Sequence, residues 1–321
     1  QLDGAVGLFE LAVERRLGTE QRIILDRCLR LKTGGRLWIQ GVAGSGKTVA
    51  LVHGVIQALK KNPALTVCVV AYTHSLKDLM ASGLPDSLRN IPVMTLDGFL
   101  KNPQHYDLLF VDEVQDLERA KLETLNKYGM RLIVAGDCFQ SIYPDRASSA
   151  EIEQILSPEK CDLVILYRIT QTLKKIAETV LPNSNILAAK VDRLAANVQV
   201  ILAHSRDKKS EISWVWEETR QYSKQGDPVA ILLPNKNMIK RFIDTICELE
   251  GTVHPSFAKN KFDQIDYDQV NRHLENQKIC LRYLGNNYGS STESDERPIV
   301  YLMTYHSAKG LDFENVFLPH L

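Results

Sequence analysis

Short apolar runs alternate with segments of helical period along most of the chain. Leu37, Trp38 and Ile39 form a run that predicts a buried strand, and Val49, Ala50, Leu51 and Val55 then recur at helical spacing. Before them, Val6, Leu8, Phe9, Ala12 and Val13 predict an amphipathic helix over 4–17. A second helix carries Ile24, Leu25, Cys28 and Leu29, with Thr19 as its N-cap. Further strands are expected at Thr66–Tyr72, Val93–Thr95, Leu108–Val111 and Arg131–Ala135. The second half repeats the alternation. It reads as a strand at Leu163–Leu166, a helix at Thr170–Leu181, a strand at Val198–Leu202 and a helix at Glu211–Tyr222. A strand at Val229–Leu233, a helix at Met238–Leu249 and strands at Ile299–Met303 and Asn315–Leu318 follow. Residues 251–268 look irregular, and 285–298 form a polar loop. Alternating strands and helices predict an α/β fold with mainly parallel sheets, which bind ligands at the carboxyl ends of their strands.

Composition narrows the class. The 321 residues suffice for two domains, and 44% hydrophobic with 24% charged residues is ordinary for a globular protein. Lys+Arg and Asp+Glu are both 39, so bulk charge gives a nucleic-acid partner no support, and a basic cleft would have to be local. Six scattered cysteines without a CxxC pair read as small core residues in a reducing compartment. No apolar run has membrane-spanning length and no signal peptide is visible, so a cytoplasmic protein without a membrane partner is expected. The chain opens on Gln1 and is expected to be a piece of a longer protein.

The chemistry sits where strands end. After the first strand comes Gly41-Val42-Ala43-Gly44-Ser45-Gly46-Lys47-Thr48, a GxxxxGK[ST] loop in its required setting between strand and helix. Glycines let backbone N–H groups close around phosphate, and the helix N-terminus adds partial positive charge. Lys47 can reach the β/γ-phosphates of ATP and the Thr48 hydroxyl can ligate Mg²⁺. The strand at Leu108–Val111 ends in Asp112 and Glu113, acids suited to holding the metal and activating water. Gln140, after the strand at Arg131–Ala135, could hydrogen-bond a γ-phosphate. Gln21 carries an amide that could read adenine, although its spacing suits helix surface equally.

Five blocks in order, GVAGSGKT, VDEVQD, GDCFQSIY, LYRIT and MTYHSAKGLDF, resemble superfamily 1 nucleic-acid helicases of the UvrD/PcrA/Rep type, from Thr19 to Leu321. The resemblance implies two RecA-like domains, 1–162 and 163–321, with ATP between them. It implies roles for Gln21 at adenine, for Lys47 and Thr48 at phosphate and Mg²⁺, for Asp112 and Glu113 at metal and water, and for Gln140 as γ-phosphate sensor. Tyr167 would stack on the base, Arg168 would be an arginine finger, and Asp312 stands where a ribose-contacting glutamate is usual. Tyr72, Thr95, Phe99, Tyr143 and His306 match positions that touch single-stranded DNA or RNA, with DNA the favoured partner, and aromatics at loop ends suit stacking on bases. Core packing is the competing reading for each of these aromatics. A monomer working in DNA repair, with a partner or nuclease domain outside this stretch, is the implied setting.

Four departures shape the expectation. Tyr143-Pro144-Asp145-Arg146 lacks the family's tryptophan, Asp97 replaces a histidine, and the spacings from Phe99 to Asp112 and from Arg168 to Thr304 leave no room for the large inserts. The chain also stops before the family's last motif, so weak hydrolysis by this stretch is expected. A nucleotide-gated binding module that does not separate strands is the alternative. A GTPase is disfavoured because Asn235-Lys236-Asn237 lacks the acid of a guanine-reading loop.

Overall fold

The computed structural model describes residues 17–138, 145–167, 169–180, 186, 188–191, 198–261, 263–285, 299–309, 311 and 313–320. The helix expected over 4–17, together with Gln140, Tyr143, Arg168 and Asp312, lies outside the described residues, as does 286–298 of the polar loop. The chain divides into two compact units, one holding Phe9–Ile201 and the other Leu202–Leu321.

In the first unit the order is α1 (Thr19–Arg30), β1 (Arg36–Gly41), α2 (Lys47–Lys61), β2 (Val67–Ala71), α3 (His74–Ser82), β3 (Val93–Thr95) and α4 (Leu96–Lys101). Then come β4 (Tyr106–Val111), α5 (Arg119–Tyr128), β5 (Gly129–Gly136), α6 (Ser149–Leu156) and β6 (Glu159–Leu163). The six strands form one sheet in the order β3-β2-β4-β5-β1-β6, and every pairing is parallel. A sheet covered on both faces needs nearly continuous apolar strands. The two-residue period of a strand sorts them into two cores. Leu37, Ile39, Val69, Phe110 and Ile133 join one cluster with α1 and α2, whereas Trp38, Val70, Leu109, Val111 and Val134 join the other with α5 and α6. Because all six strands run the same way, their carboxyl ends share one edge. On that edge the end of β5 falls between those of β1 and β4.

The expected domain boundary at Asp162 is not where the first unit ends. β6 pairs with β1 from Leu37↔Glu159 to Gly41↔Leu163 and completes the first sheet. The next residues stay attached: Glu20 accepts from Val164 N–H at 3.0 Å and Ile165 N–H at 3.3 Å, and Tyr167 N–H donates to Gly44 O at 2.9 Å. The strand expected at Leu163–Leu166 is therefore two strands, β6 and the short β7 (Ile165–Leu166), which pairs with β8 (Lys190–Val191) after α7 (Gln171–Val180). Val198–Leu202 is exposed and forms no strand, despite its apolar sequence.

The second unit contains α8 (Lys208–Lys224), β9 (Val229–Leu233), α9 (Lys236–Glu250), α10 (Tyr267–Asn276), β10 (Leu281–Tyr283), β11 (Val300–Thr304), α11 (Tyr305–Ala308) and β12 (Asn315–Phe317). Its four strands are also all parallel, in the order β10-β11-β9-β12. α10, not anticipated, is capped by Asp266 and buries Tyr267, Val270 and Leu274. It locates β10 through Asn271, whose amide donates to Tyr283 O at 3.0 Å and accepts from Tyr283 N–H at 2.8 Å. Tyr267 and Tyr283 stack at 3.7 Å inside this core. Among the described residues, no helix is long and apolar enough to cross a membrane.

Candidate nucleotide site

The loop between β1 and α2 closes on itself. Gly44 and Gly46 take left-handed backbone angles (φ 77° and 84°), and Gly46 is the N-cap of α2. Side chains are disfavoured there by conformation and also by space. A Cβ at Gly46 would stand 2.5 Å from Gln21 Nε2, and one at Gly41 would stand 2.5 Å from Ser45 Oγ. Lys47, nearly buried, folds back over the loop and donates to Gly41 O at 2.7 Å and Val42 O at 3.2 Å. Ser45 is fully buried and its hydroxyl makes no hydrogen bond, an orphaned polar group beside the glycines. Ala43 is exposed at the tip of the loop, while Val42 anchors it by packing on Leu166 and Ala189.

Gln21 and Tyr167 converge on the same loop. Gln21 is buried on α1, and its Oε1 accepts from Gly18 N–H at 3.1 Å, which makes Gly18 rather than Thr19 the N-cap. The Tyr167 hydroxyl stands where a Cβ on Gly18 would be, 2.1 Å away, and its ring approaches Gly46. Tyr167 thus belongs to the unit that holds the loop, not to the second unit.

Opposite the loop, β4 delivers the two acids. The Thr48 hydroxyl donates to Asp112 Oδ2 at 2.7 Å, and Asp112 Oδ1 accepts from Glu113 N–H at 3.0 Å. Burial, and then the neighbouring Glu113 carboxylate, push the Asp112 carboxyl up to about 6, against the Thr48 hydroxyl and the Lys47 charge. Glu113 itself adopts a left-handed backbone (φ 56°), which costs energy in a non-glycine residue and turns the chain sharply out of β4. Gln115, fully buried, donates from Nε2 to Glu113 Oε2 and accepts at Oε1 from Asp137 N–H at 3.0 Å. Motif spacing does not single out Gln115; the signal available in the sequence is a glutamine in the turn after the paired acids. Beside the loop, a pocket of about 430 Å³ lies at the ends of β1, β5 and β6, lined by Gly41, Val42, Gly136, Asp137, Cys138 and Leu163 among others.

The donors suit a magnesium nucleotide. Hard oxygens of Thr48 and Asp112 lie side by side, and Mg²⁺ is commonly held by one or two such protein oxygens together with phosphate. The glycine-lined loop, its lysine and the unpaired Ser45 hydroxyl are the kinds of group that cradle phosphate. Among the described residues, no cluster of three or more His, Cys, Asp or Glu side chains offers a metal site made by protein alone.

The residues expected at nucleic acid are less uniform. Phe99 is 1% exposed and packs edge-on to Tyr128 at 6.3 Å within the second core of the first sheet, so it is a core residue and not a surface for bases. Thr95 caps α4, its Oγ1 accepting from Gly98 N–H at 3.2 Å. Tyr72, at the end of β2, is half-buried against the same core, and burial raises its hydroxyl pKa. His306 is exposed on α11 in the second unit.

The profile of the viral superfamily 1 RNA helicase core domain matches residues 37–215, more than half of the chain. The chain belongs to that family. The match runs from β1 through the phosphate loop and the acids after β4 into α8, so it spans Lys47, Thr48, Asp112 and Glu113 but not Gln21. "Putative ATP-dependent DNA helicase R568" of Acanthamoeba polyphaga mimivirus is 25% identical over 222 residues, which is 65% of this chain but only 28% of that protein's length. Among solved structures, a Bacteroides Pif1 helicase in complex with ADP-AlF3 and single-stranded DNA aligns with a TM-score of 0.50 at 14% identity, over 95% of this chain and 86% of that one. This is a likeness of fold. Pif1 helicase from Candida albicans aligns over 72% of this chain and 55% of its own, with a TM-score of 0.41 and 17% identity, too low to add an argument.

Proposed function

We propose that this superfamily 1 core binds Mg²⁺–ATP at the carboxyl edge of its first sheet and hydrolyses it to drive movement on single-stranded nucleic acid, DNA rather than RNA. The observation that carries this reading is the convergence of Lys47, Thr48, Asp112 and Glu113 on one edge from two separate strands.

In this mechanism Lys47 leaves the Gly41 and Val42 carbonyls for the β/γ-phosphates, a better partner for its charge. The Gly41–Gly46 backbone wraps the phosphates. Thr48 and Asp112 would hold Mg²⁺, which supplies neutralisation of phosphate charge. Glu113 orients the attacking water and takes its proton. Gln21 and Tyr167 contact the adenine, and Asp312 the ribose. Gln140 senses the γ-phosphate and Arg168 stabilises the transition-state charge. Tyr72, Tyr143 and His306 contact the strand.

The motif series also supports a tie to the UvrD/PcrA/Rep type and its work in DNA repair. The tight spacing from Phe99 to Asp112 favours a compact core without their inserts. That same compactness favours the second reading, a nucleotide-gated clamp without strand separation. ATP turnover of the full-length protein with and without single-stranded DNA tests the proposal. Stimulated turnover that disappears in Lys47→Ala is expected, and turnover indifferent to both strand and substitution would refute it. A strand-displacement assay then separates translocase from clamp.

A further inference from the structure

Resting on that reading, we propose that Gln115 is a positioning residue: it holds the Glu113 carboxylate for hydrolysis and fixes it to the end of β5. The amide has one donor and one acceptor edge, and both are used in one direction. Nε2 donates to Glu113 Oε2, and Oε1 accepts from Asp137 N–H at 3.0 Å. Gln115 is fully buried, and Glu113 and Asp137 are nearly so, which leaves little water to replace these bonds.

The sheet order explains why such a strut is required. β5 lies between β4, which carries Glu113, and β1, which carries the phosphate loop. Glu113 leaves β4 in a left-handed turn, so its own strand does not fix the direction of its side chain. Gln115, in the 3-10 turn Val114–Asp116, reaches across to the neighbouring strand end instead. Gly136 makes the room. A Cβ at this position would stand 2.2 Å from Gln115 Oε1 and 2.8 Å from Val114 Cγ1. Glycine at the end of β5 is thus shaped to the glutamine amide of the turn beside it. Asp137 begins the stretch that leads to Gln140, so the strut joins the residue that activates water to the root of the γ-phosphate sensor segment.

The test uses the full-length protein with Gln115→Met, which keeps length and volume but neither hydrogen bond, and Gly136→Ala, which displaces the amide without touching Gln115. Both variants are expected to bind Mg²⁺–ADP as the wild type does and to keep the KM for ATP. Their kcat should fall about 100-fold, the scale of a misdirected catalytic group. The double variant should be no slower than the worse single one, because both remove the same strut. Wild-type kcat in Gln115→Met, or additive losses in the double variant, would overturn the proposal. So would a loss of nucleotide affinity as large as the loss of kcat, which marks a merely structural role. If the wild type shows no Lys47-dependent turnover, the functional reading fails and this inference falls with it. An active wild type with an equally active Gln115→Met refutes the inference alone.

Discussion

Two stretches of the first sheet's carboxyl edge put their side chains to different uses. At the ends of β1, β4 and β5, polar groups are drawn into the protein: Lys47, Ser45, Asp112, Glu113 and Gln115 are all buried or nearly so. At the ends of β2 and β3, the side chains serve the fold. Phe99 fills a core, Thr95 caps a helix, and Tyr72 lies half against the same core. A protein gains no stability by burying two adjacent carboxylates and leaving a serine hydroxyl unpaired. Those features mark a site built for a ligand. The other stretch satisfies its own chemistry, and only Tyr72 keeps exposed ring for another partner.

This contrast predicts which substitutions separate activity from stability. The largest effect falls at Glu113: Glu113→Gln should lower ATP turnover about 100- to 10,000-fold, the usual worth of a general base, and leave Mg²⁺–ADP binding intact in a calorimetric titration. Retained turnover would remove Glu113 from the chemistry. Phe99→Ala should cost about 3–5 kcal/mol in chemical denaturation, as loss of a buried aromatic does, without changing the strand affinity of the folded protein. Tyr72→Ala should do the reverse, weakening single-stranded DNA binding by about 1–3 kcal/mol in a fluorescence titration. If the two variants exchange these effects, the division drawn here is wrong.

Asp112 tests the cost of the site. Its folded pKa is raised from 3.8 to about 6, so the folded state binds the extra proton. For this group, stability is greatest below pH 4 and is lost as pH rises through about 6. With metal and nucleotide removed, Asp112→Asn should therefore be more stable than the wild type above pH 6 and should lose that advantage at pH 4. Thermal melts at the two pH values check it, and an Asn variant less stable at both would contradict it. The smallest effect is at Thr95. Thr95→Ala should cost about 1 kcal/mol through the lost cap of α4 and leave strand binding unchanged.

What the sequence makes legible follows the same division. Lys47, Thr48, Asp112 and Glu113 could be placed in advance because a phosphate loop imposes glycine spacing on the backbone, and because parallel strands deliver their ends to one edge. Spacing does not place Gln21, since its amide lies against Gly46, far along the chain. Gln115 is not legible in advance because its amide bonds to a neighbouring strand end, which sequence order does not reveal. β6 was missed for a local reason: Glu159, Lys160 and Asp162 are exposed on an edge strand, so no continuous apolar run announces it. Val198–Leu202 was misread for the opposite reason, because an apolar run predicts a strand without supplying one to pair with. α10 was readable from Asp266 and the spacing of Tyr267, Val270 and Leu274, but the polar residues between them obscured the pattern. Phe99 shows the limit of motif matching, since an aromatic at a loop end and an aromatic in a core look alike in sequence.

The central claim is that the carboxyl edge of β1, β4 and β5 is a magnesium–nucleotide site gripped by Lys47. Calorimetric titration of the full-length protein with Mg²⁺–ATPγS, beside Lys47→Ala, tests it directly. The account predicts saturable one-to-one binding in the wild type, weakened by at least about 100-fold in the variant, as expected for loss of a buried charged donor to phosphate. Equal affinity in the two proteins, or no binding by the wild type, would contradict it.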